Sequence, residues 1–231
     1  MVEVAPGTVV VYSDIGCPWA HLAVHRLLSI RHRLGLDDAV VVDHRAFPLE
    51  IFNTRPTPWR ILAAEVPVIG ALDPGAGWQV WQGDMGTWPS TTLPALEAVQ
   101  AAKEQGLAAS ERLDRGLRRA FFGDSRCISM RHVILDVAGE SDLDVGALAA
   151  ALDGSSGDGK ARRAVFDQCR RAGDEDVKGS PHVFLPDGTD VHNPGIEMAW
   201  EGDEGVGFPV VAKDDPGVYE DLLCRAAEAS A

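Results

Sequence analysis

The chain has 231 residues, of which 45% are hydrophobic and 24% are charged, and its formal net charge is -14 at pH 7. This composition is typical of a folded protein with a packed core and excludes a globally disordered chain. Because the negative charge repels phosphate backbones and anionic lipid, we expect neither a nucleic acid nor a membrane as a partner.

The first fifty residues predict a strand, a helix and a second strand. Residues 8–13 form a β-rich apolar run, and the residues before them lack the basic region of a signal peptide, so we expect a cytoplasmic protein. A helix is predicted to begin at Pro18 and to end at Gly35. Residues 39–46 predict the second strand, which indicates a β-α-β crossover with two parallel strands.

The middle of the chain is predicted to be mainly helical. Residues 47–90 are rich in proline and predict mostly loop with short helices. Residues 93–152 carry apolar residues at three- and four-residue spacing, and a further helix is predicted over 161–173. Between them, residues 154–161 nearly match a phosphate-binding loop. We interpret them as a flexible linker, because Ala161 replaces the required serine or threonine.

The β pattern returns towards the C-terminus. Residues 182–193 predict a hairpin around a Pro-Asp-Gly turn. Residues 195–215 are rich in glycine and acidic residues and predict irregular structure. A last helix is then predicted, with Asp215 as its N-cap and Pro216 at its first position.

This order of elements predicts a thioredoxin-like α/β fold with a helical insertion between its β-α-β and β-β-α halves. We assign residues 1–55 and 176–231 to a discontinuous thioredoxin-like domain. Residues 56–175 are assigned to the mainly helical insertion.

The chain has four cysteines, and none of them lies in a C-x-x-C pair or at a zinc-type spacing, so we expect no bound metal. Cys127, Cys169 and Cys224 lie in helical stretches and are expected to be buried or half-buried. Cys17 instead follows a predicted strand and opens a predicted helix. Since the free N–H groups and dipole at a helix N-terminus stabilise a thiolate, the sequence predicts a lowered pKa and a nucleophilic Cys17.

The segment Cys17-Pro18-Trp19 resembles the C-P-W-C active site of the DsbA superfamily, in particular its cytosolic FrnE-like branch of dithiol-disulfide isomerases. Residues 88–92, WPSTT, are similar to the start of the helical insertion in that branch. Residues 177–184, VKGSPHVF, resemble its cis-proline loop, which the family places beside the active cysteine. The resemblance covers most of the chain.

The resemblance implies a set of site residues. It implies that Cys17 is the catalytic residue. The residues implied in substrate binding are Pro18, Trp19, Ser180, Pro181 and His182. A cis bond before the proline would turn the Ser180 backbone outward, where it can pair with an extended substrate.

One position departs from the family pattern, because Ala20 stands where the second cysteine would fall. A dithiol enzyme uses that cysteine to release its mixed disulfide. Here, another cysteine of the chain or a small thiol such as glutathione or mycothiol must serve as co-substrate, and no tightly bound cofactor is expected. The sequence therefore predicts a thiol-disulfide oxidoreductase with a single active-site cysteine and a small thiol or disulfide as partner. A homodimer is compatible with the sequence.

Two alternative functions remain open. The related kappa-class glutathione transferases and 2-hydroxychromene-2-carboxylate isomerases also lack the dithiol and bind glutathione in the same cleft. The chain would then be a thiol-dependent isomerase or S-transferase. The second alternative is a non-catalytic binding protein on the same fold.

Two further groups of residues have more than one interpretation. His21 and His25 lie four apart, a spacing used for metals, but no third ligand is nearby. We interpret His21 as solvated, with polarisation of Cys17 as the alternative, and His25 as packed or exposed. Four tryptophans either pack in the core, which we favour, or line an apolar pocket. These are Trp59, Trp78, Trp81 and Trp88.

Overall fold

The computed structural model describes residues 2–153 and 159–229, so most of the predicted linker at 154–161 lies outside the described residues. The elements in chain order are β1 (Thr8–Ser13), α1 (Pro18–Arg33), β2 (Val41–Ala46), α2 (Leu49–Phe52), α3 (Trp59–Leu72), α4 (Leu93–Ala102), α5 (Leu107–Phe122), α6 (Arg131–Glu140), α7 (Val145–Leu152), α8 (Lys160–Asp174), β3 (His182–Phe184), β4 (Asp190–His192), β5 (Ile196–Glu201), β6 (Phe208–Asp214) and α9 (Val218–Glu228). In the described part of the chain, the helices are too short or too polar to cross a lipid bilayer.

The central sheet has four strands in the order β2-β1-β3-β4. β1 runs parallel to β2 and antiparallel to β3, and β3 pairs antiparallel with β4. All six residues of β1 are buried, which explains why this strand is a continuous apolar run rather than an alternating one. The predicted α/β fold with a β-α-β half and a β-β-α half is confirmed.

Helix α1 begins where the sequence predicts it to begin. Cys17 is the N-cap in an extended conformation, with φ -85° and ψ 118°, and Pro18 occupies the first helical position. Proline fits there because the N–H that it lacks would have no partner within the helix. The apolar side of α1, including Val24 and Leu27, packs in one core with side chains of β1 and α9. The start of α1 is thereby fixed at the end of β1.

The prediction of mostly loop over residues 47–90 is wrong for Trp59–Leu72, which form the 14-residue helix α3 with Pro67 inside it. A proline inside a helix costs about 3 kcal/mol or more. Burial of a large apolar side chain returns roughly 1.5–3 kcal/mol. Because Ile61, Leu62 and Ile69 are all buried, packing of this face outweighs the cost of the proline.

Residues 195–215 are also not irregular, because β5 and β6 form an antiparallel hairpin in which Ala199 pairs with Val210. The many glycine and acidic residues hide the alternation of the strands. Met198 and Val211 pack against the apolar cluster around Cys17, so one face of the hairpin is anchored on the body of the protein. After the hairpin, the N-cap of α9 is Gly217, rather than the predicted Asp215.

The helices α3–α8 lie in the segment that we assigned to the insertion. Their buried side chains form a large apolar core, which includes Leu96 of α4, Leu113 of α5 and Val165 of α8. α4 packs against both α5 and α8. The division of the chain at residues 56 and 175 remains a prediction.

Candidate active site

Cys17 and the loop before β3 lie side by side, although they are 163 residues apart in the chain. The Cys17 thiol donates a hydrogen bond to the Ser180 carbonyl oxygen at 3.2 Å. The Ser180–Pro181 peptide bond is cis. The Asp14 N–H donates to Ser180 Oγ at 2.9 Å, which ties the loop to the end of β1. The structure therefore brings together the two segments that carry the family resemblance.

A cleft of about 550 Å³ opens beside this contact, within the size range of small-molecule sites. Its wall includes Cys17, Pro18, Trp19 and Ser180, together with parts of the 53–58 loop and of α3. Cys17 is only 4% exposed, and one side of it packs in an apolar cluster. Because the residue also lines the cleft, a bound molecule can contact it without unfolding of the chain.

The prediction of a lowered pKa for Cys17 is wrong. Burial raises the pKa of the Cys17 thiol to about 11, and the carboxyl groups of Glu65 and Asp14 add to this rise. The contacts with Ser180 and with the Ala20 backbone act in the opposite direction but are smaller. At neutral pH Cys17 is therefore mainly a protonated thiol, which can donate the hydrogen bond to the Ser180 carbonyl oxygen.

Glu65 of α3 is a site residue that sequence reasoning missed. It is 6% exposed and lines the same cleft as Cys17. Its Oε1 accepts a hydrogen bond from Trp19 Nε1 at 2.9 Å. Burial, with a contribution from the charge of Glu204, raises the pKa of Glu65 to about 7. A lone acidic residue within the apolar stripe of α3 was the available signal.

The raised pKa of Glu65 predicts a specific pH dependence of stability. The folded state binds the Glu65 proton more tightly than the unfolded chain, so its contribution is complete below about pH 4.5 and is lost as the pH rises through 7. We expect this loss to be about 3 kcal/mol in the free energy of unfolding. Glu65→Gln should remove it, which denaturant unfolding of both proteins across this pH range will measure.

The wild type must be compared with Glu65→Gln because His21 changes the stability with pH in the opposite direction. Burial lowers the pKa of His21 to about 3, so its contribution to stability is lost as the pH falls. Glu201→Gln, at an exposed position of β5, is the matched control and should retain the loss of stability that depends on Glu65. Equal pH profiles for the wild type and Glu65→Gln would show that Glu65 ionises as in water.

A buried polar network holds the segment that carries Cys17. Asp14 is 2% exposed, and its carboxylate accepts hydrogen bonds from the Gly16 and Leu49 N–H groups, both at 2.8 Å. It also accepts from the Thr92 hydroxyl at 3.0 Å. A Cβ on Gly16 would lie 2.9 Å from the Thr92 side chain, so this close approach needs glycine.

Arg118 of α5 also holds the segment before Cys17, through hydrogen bonds to Ser13 and Asp14. Its Nε donates to the Asp114 carboxylate at 2.6 Å, and its Nη1 donates to the Asp14 carbonyl oxygen at 3.0 Å. A further bond joins Nη2 to Ser13 Oγ at 2.8 Å. Burial raises the pKa of Asp114, but Arg118 together with His44 and His21 outweighs burial and holds that pKa below its ordinary value. Helix α5 thereby positions the end of β1.

Pro181 and His182 are buried and are not among the residues that line the cleft, so the contact of each with a substrate stays a prediction. His182 Nδ1 accepts a hydrogen bond from the Lys178 N–H at 3.1 Å. Its Nε2 lies 2.9 Å from Asp190 Oδ1. With both nitrogens engaged, His182 fixes the shape of the loop.

His21 is 5% exposed, so the expectation of a solvated His21 is wrong. Its ring stacks on Phe122, with centroids 4.9 Å apart, and its Nε2 lies 3.1 Å from the Ala76 carbonyl oxygen. His25 is partly buried beside Asp73. Within the described residues, no group of three or more His, Cys, Asp and Glu side chains is placed to hold a metal ion.

The four tryptophans of residues 59–88 and the other three cysteines are not among the residues that line the Cys17 cleft, although Trp78 packs against the apolar cluster around Cys17. Trp78, Trp81 and Trp88 pack against the apolar cores, whereas Trp59 is 43% exposed. Cys127 and Cys169 are half-buried, as expected. Cys224 is exposed, which corrects the prediction, because the apolar side of α9 is supplied by other residues.

Comparison with known proteins gives matches in structure but not in sequence. A scan against protein-family models finds no match, and a search of curated proteins finds none. A probable DsbA oxidoreductase from Streptomyces coelicolor matches 95% of this chain and 89% of its own, with a TM-score of 0.67 and 21% identity. The cytosolic disulfide reductase DsbM from Pseudomonas aeruginosa matches 96% of this chain and 95% of its own, with a TM-score of 0.61 and 20% identity.

DsbM has also been solved with GSH, and that structure has a TM-score of 0.61, with 19% identity over 96% of each chain. A 2-hydroxychromene-2-carboxylate isomerase matches 80% of this chain and 87% of its own, with a TM-score of 0.58 and 17% identity. At such identities the likeness establishes the fold. The predicted thioredoxin-like fold is confirmed.

Proposed function

We propose that this chain is a DsbA-like thiol-disulfide oxidoreductase that acts through the single cysteine Cys17 and uses a small thiol, such as glutathione or mycothiol, as co-substrate. The observation that carries the proposal is the position of the Cys17 sulfur, 3.2 Å from the Ser180 carbonyl oxygen and in the wall of a 550 Å³ cleft. The structures of a cytosolic disulfide reductase, one of them with GSH, support it. Membership of the FrnE-like branch and a cytoplasmic location belong to the same proposal.

The first chemical step is attack of the Cys17 sulfur on one sulfur of a bound disulfide. A bond forms between Cys17 and that sulfur, the original S–S bond breaks, and the second sulfur leaves as a thiolate. The Cys17 proton must depart, because the thiolate is the attacking species. Glu65 is the proposed acceptor, since it lines the same cleft and its pKa of about 7 leaves a large ionised fraction at neutral pH. The leaving thiolate can then take this proton.

The second step releases Cys17. A thiolate from solution attacks the sulfur bonded to Cys17, forms a new disulfide with it and expels the Cys17 thiolate, which is reprotonated. Ala20 is fully buried and provides no thiol for this step. Among the described residues that line the cleft, Cys17 alone is a cysteine, which favours a small thiol as the resolving group.

Specific observations favour each of the two alternatives. The loss of the second cysteine at Ala20 and a cleft large enough for a small thiol fit an isomerase or S-transferase, and one structural match is an isomerase. The raised pKa of Cys17 fits a binding protein without thiol chemistry. The oxidoreductase is favoured over both alternatives because the Cys17 thiol, the loop at Ser180 and the cleft lie together.

Incubation with glutathione disulfide tests the proposed function. We expect one glutathione to become attached to Cys17, as located by mass spectrometry of peptides, and to be removed by excess reduced glutathione. Cys224 is the rival site because it is exposed. The Cys224→Ser variant is therefore the control and should still form the adduct.

The alternatives predict different results. An isomerase or S-transferase would bind reduced glutathione in the cleft without entering disulfide exchange, and a binding protein would remain unmodified at Cys17. Modification confined to Cys224 would contradict the oxidoreductase proposal. A disulfide between Cys17 and another cysteine of the chain would show that this cysteine, and not a small thiol, releases Cys17 in the second step.

A further inference from the structure

A second cavity, of about 320 Å³, lies between α1, α5 and the turn after α6. It shares no lining residue with the Cys17 cleft. Its wall includes Arg112, Arg115 and Arg119 of α5, which lie three and four residues apart and so follow one face of that helix. We call this site the arginine cavity.

The positive charges of these three arginines are not neutralised by carboxylates within the described residues. Arg112 donates from Nε to the Ser141 carbonyl oxygen at 2.9 Å and from Nη2 to the Asp142 carbonyl oxygen at 3.3 Å. Backbone carbonyls orient a guanidinium but carry no full charge. Arg115 and Arg119 are exposed and have no ion-pair partner in the described part of the chain.

The other charged groups of the cavity leave it positive. Arg118 also lines it, but its charge is paired with Asp114 at 2.6 Å. Glu140 is bound by Arg126 at 2.8 Å. Among the described lining residues, Asp142 is then the one acidic side chain without an arginine partner, and it balances at most one of the three arginine charges.

The two histidines of the cavity add no positive charge near neutral pH. Burial lowers the pKa of both His21 and His25, and nearby arginines lower both further. His25 lies beside Asp73, which acts in the opposite direction. The cavity therefore offers neutral rings next to guanidinium groups.

Such a cluster is unusual in a chain with 35 acidic and 21 basic residues. Like charges three or four residues apart on a helix destabilise it when they have no partner. The facing turn supplies only partial compensation, because Glu140 is paired with Arg126 and Arg112 is bonded there to the backbone carbonyls of Ser141 and Asp142. An anion from solution would neutralise these charges instead.

We propose that the arginine cavity binds a small anion with two or more phosphate or carboxylate groups. The planar fork of arginine matches both groups with paired hydrogen bonds. Seven residues of helix separate Arg112 from Arg119, a rise of roughly 10 Å, so charges on more than one group are needed to reach all three arginines. The volume of the cavity lies at the small end of the range for ligand sites, which favours a compact molecule.

Calorimetric titration at about 0.15 M salt tests this site, with inorganic pyrophosphate as the phosphate probe and citrate as the carboxylate probe. We expect saturable binding of at least one probe, with one site per chain, and the stronger probe identifies the anionic group. In the Arg115→Ala/Arg119→Ala variant the affinity should fall by a factor of about ten or more. Arg33→Ala, which removes an exposed arginine of α1 paired with Glu220, is the control and should bind as the wild type does.

Thermal unfolding separates loss of the site from loss of the fold. Because Arg115 and Arg119 are exposed and unpaired in the described structure, the unliganded variant should melt no lower than the wild type. The probe that binds should raise the melting temperature of the wild type but not of the variant. The proposal is overturned if neither probe binds saturably, if the variant binds as well as the wild type, if Arg33→Ala weakens binding equally, or if the unliganded variant melts much lower.

Discussion

Replacement of Cys17 by serine is expected to reduce thiol-disulfide exchange by a factor of about a thousand or more. A hydroxyl ionises far less readily than a thiol and cannot form the mixed disulfide. The other described residues of the cleft wall include no cysteine that could take over. The rate should be measured with glutathione disulfide as substrate and reduced glutathione in excess, in matched preparations of both proteins.

Cys224→Ser is the matched control, because it removes a thiol that is exposed and lies outside the cleft wall. This variant should retain the wild-type rate. Comparable exchange by Cys17→Ser and the wild type would exclude Cys17 as the nucleophile. No exchange by the wild type itself would favour the isomerase or the binding protein.

Replacement of Arg118 by methionine is expected to lower the free energy of unfolding by about 3–5 kcal/mol. Arg118 is 1% exposed, and its loss leaves the Asp114 carboxylate buried without its partner. It also removes the hydrogen bonds to the Asp14 carbonyl oxygen and to Ser13 Oγ. Urea unfolding at neutral pH measures the change.

Two further variants make this test specific. Arg119→Met changes the neighbouring exposed residue in the same way and should alter stability by no more than about 0.5 kcal/mol. Asp114→Leu combined with Arg118→Met removes both charges and should recover part of the loss, since a buried pair can be replaced by apolar residues at low cost. A loss below about 1 kcal/mol in Arg118→Met would mean that the network does not hold the segment before Cys17.

Local pattern was sufficient where one force dominates a short segment. The apolar run of β1 marks a strand buried on both faces, and Pro18 marks the start of α1 because proline fits the first helical turn. Pattern failed where long-range packing overrides local preference. Pro67 suggested a loop, but the buried face of α3 keeps it helical, and the glycine and acidic residues of 195–215 hid a hairpin anchored on the Cys17 cluster.

The sequence by itself determined the fold class and the two segments that meet at the candidate site. It did so because strand, helix and proline signals depend on neighbours within a few residues. The protonation of Cys17 was decided by the tertiary structure alone, because burial and the Glu65 carboxyl outweigh the helix N-terminus. The contact between Arg118 and Asp14 joins residues 104 positions apart, and that between Cys17 and Ser180 joins residues 163 apart. Desolvation and buried ion pairs depend on such distant partners. Folding brings these partners together, and local sequence patterns do not indicate which residues will meet.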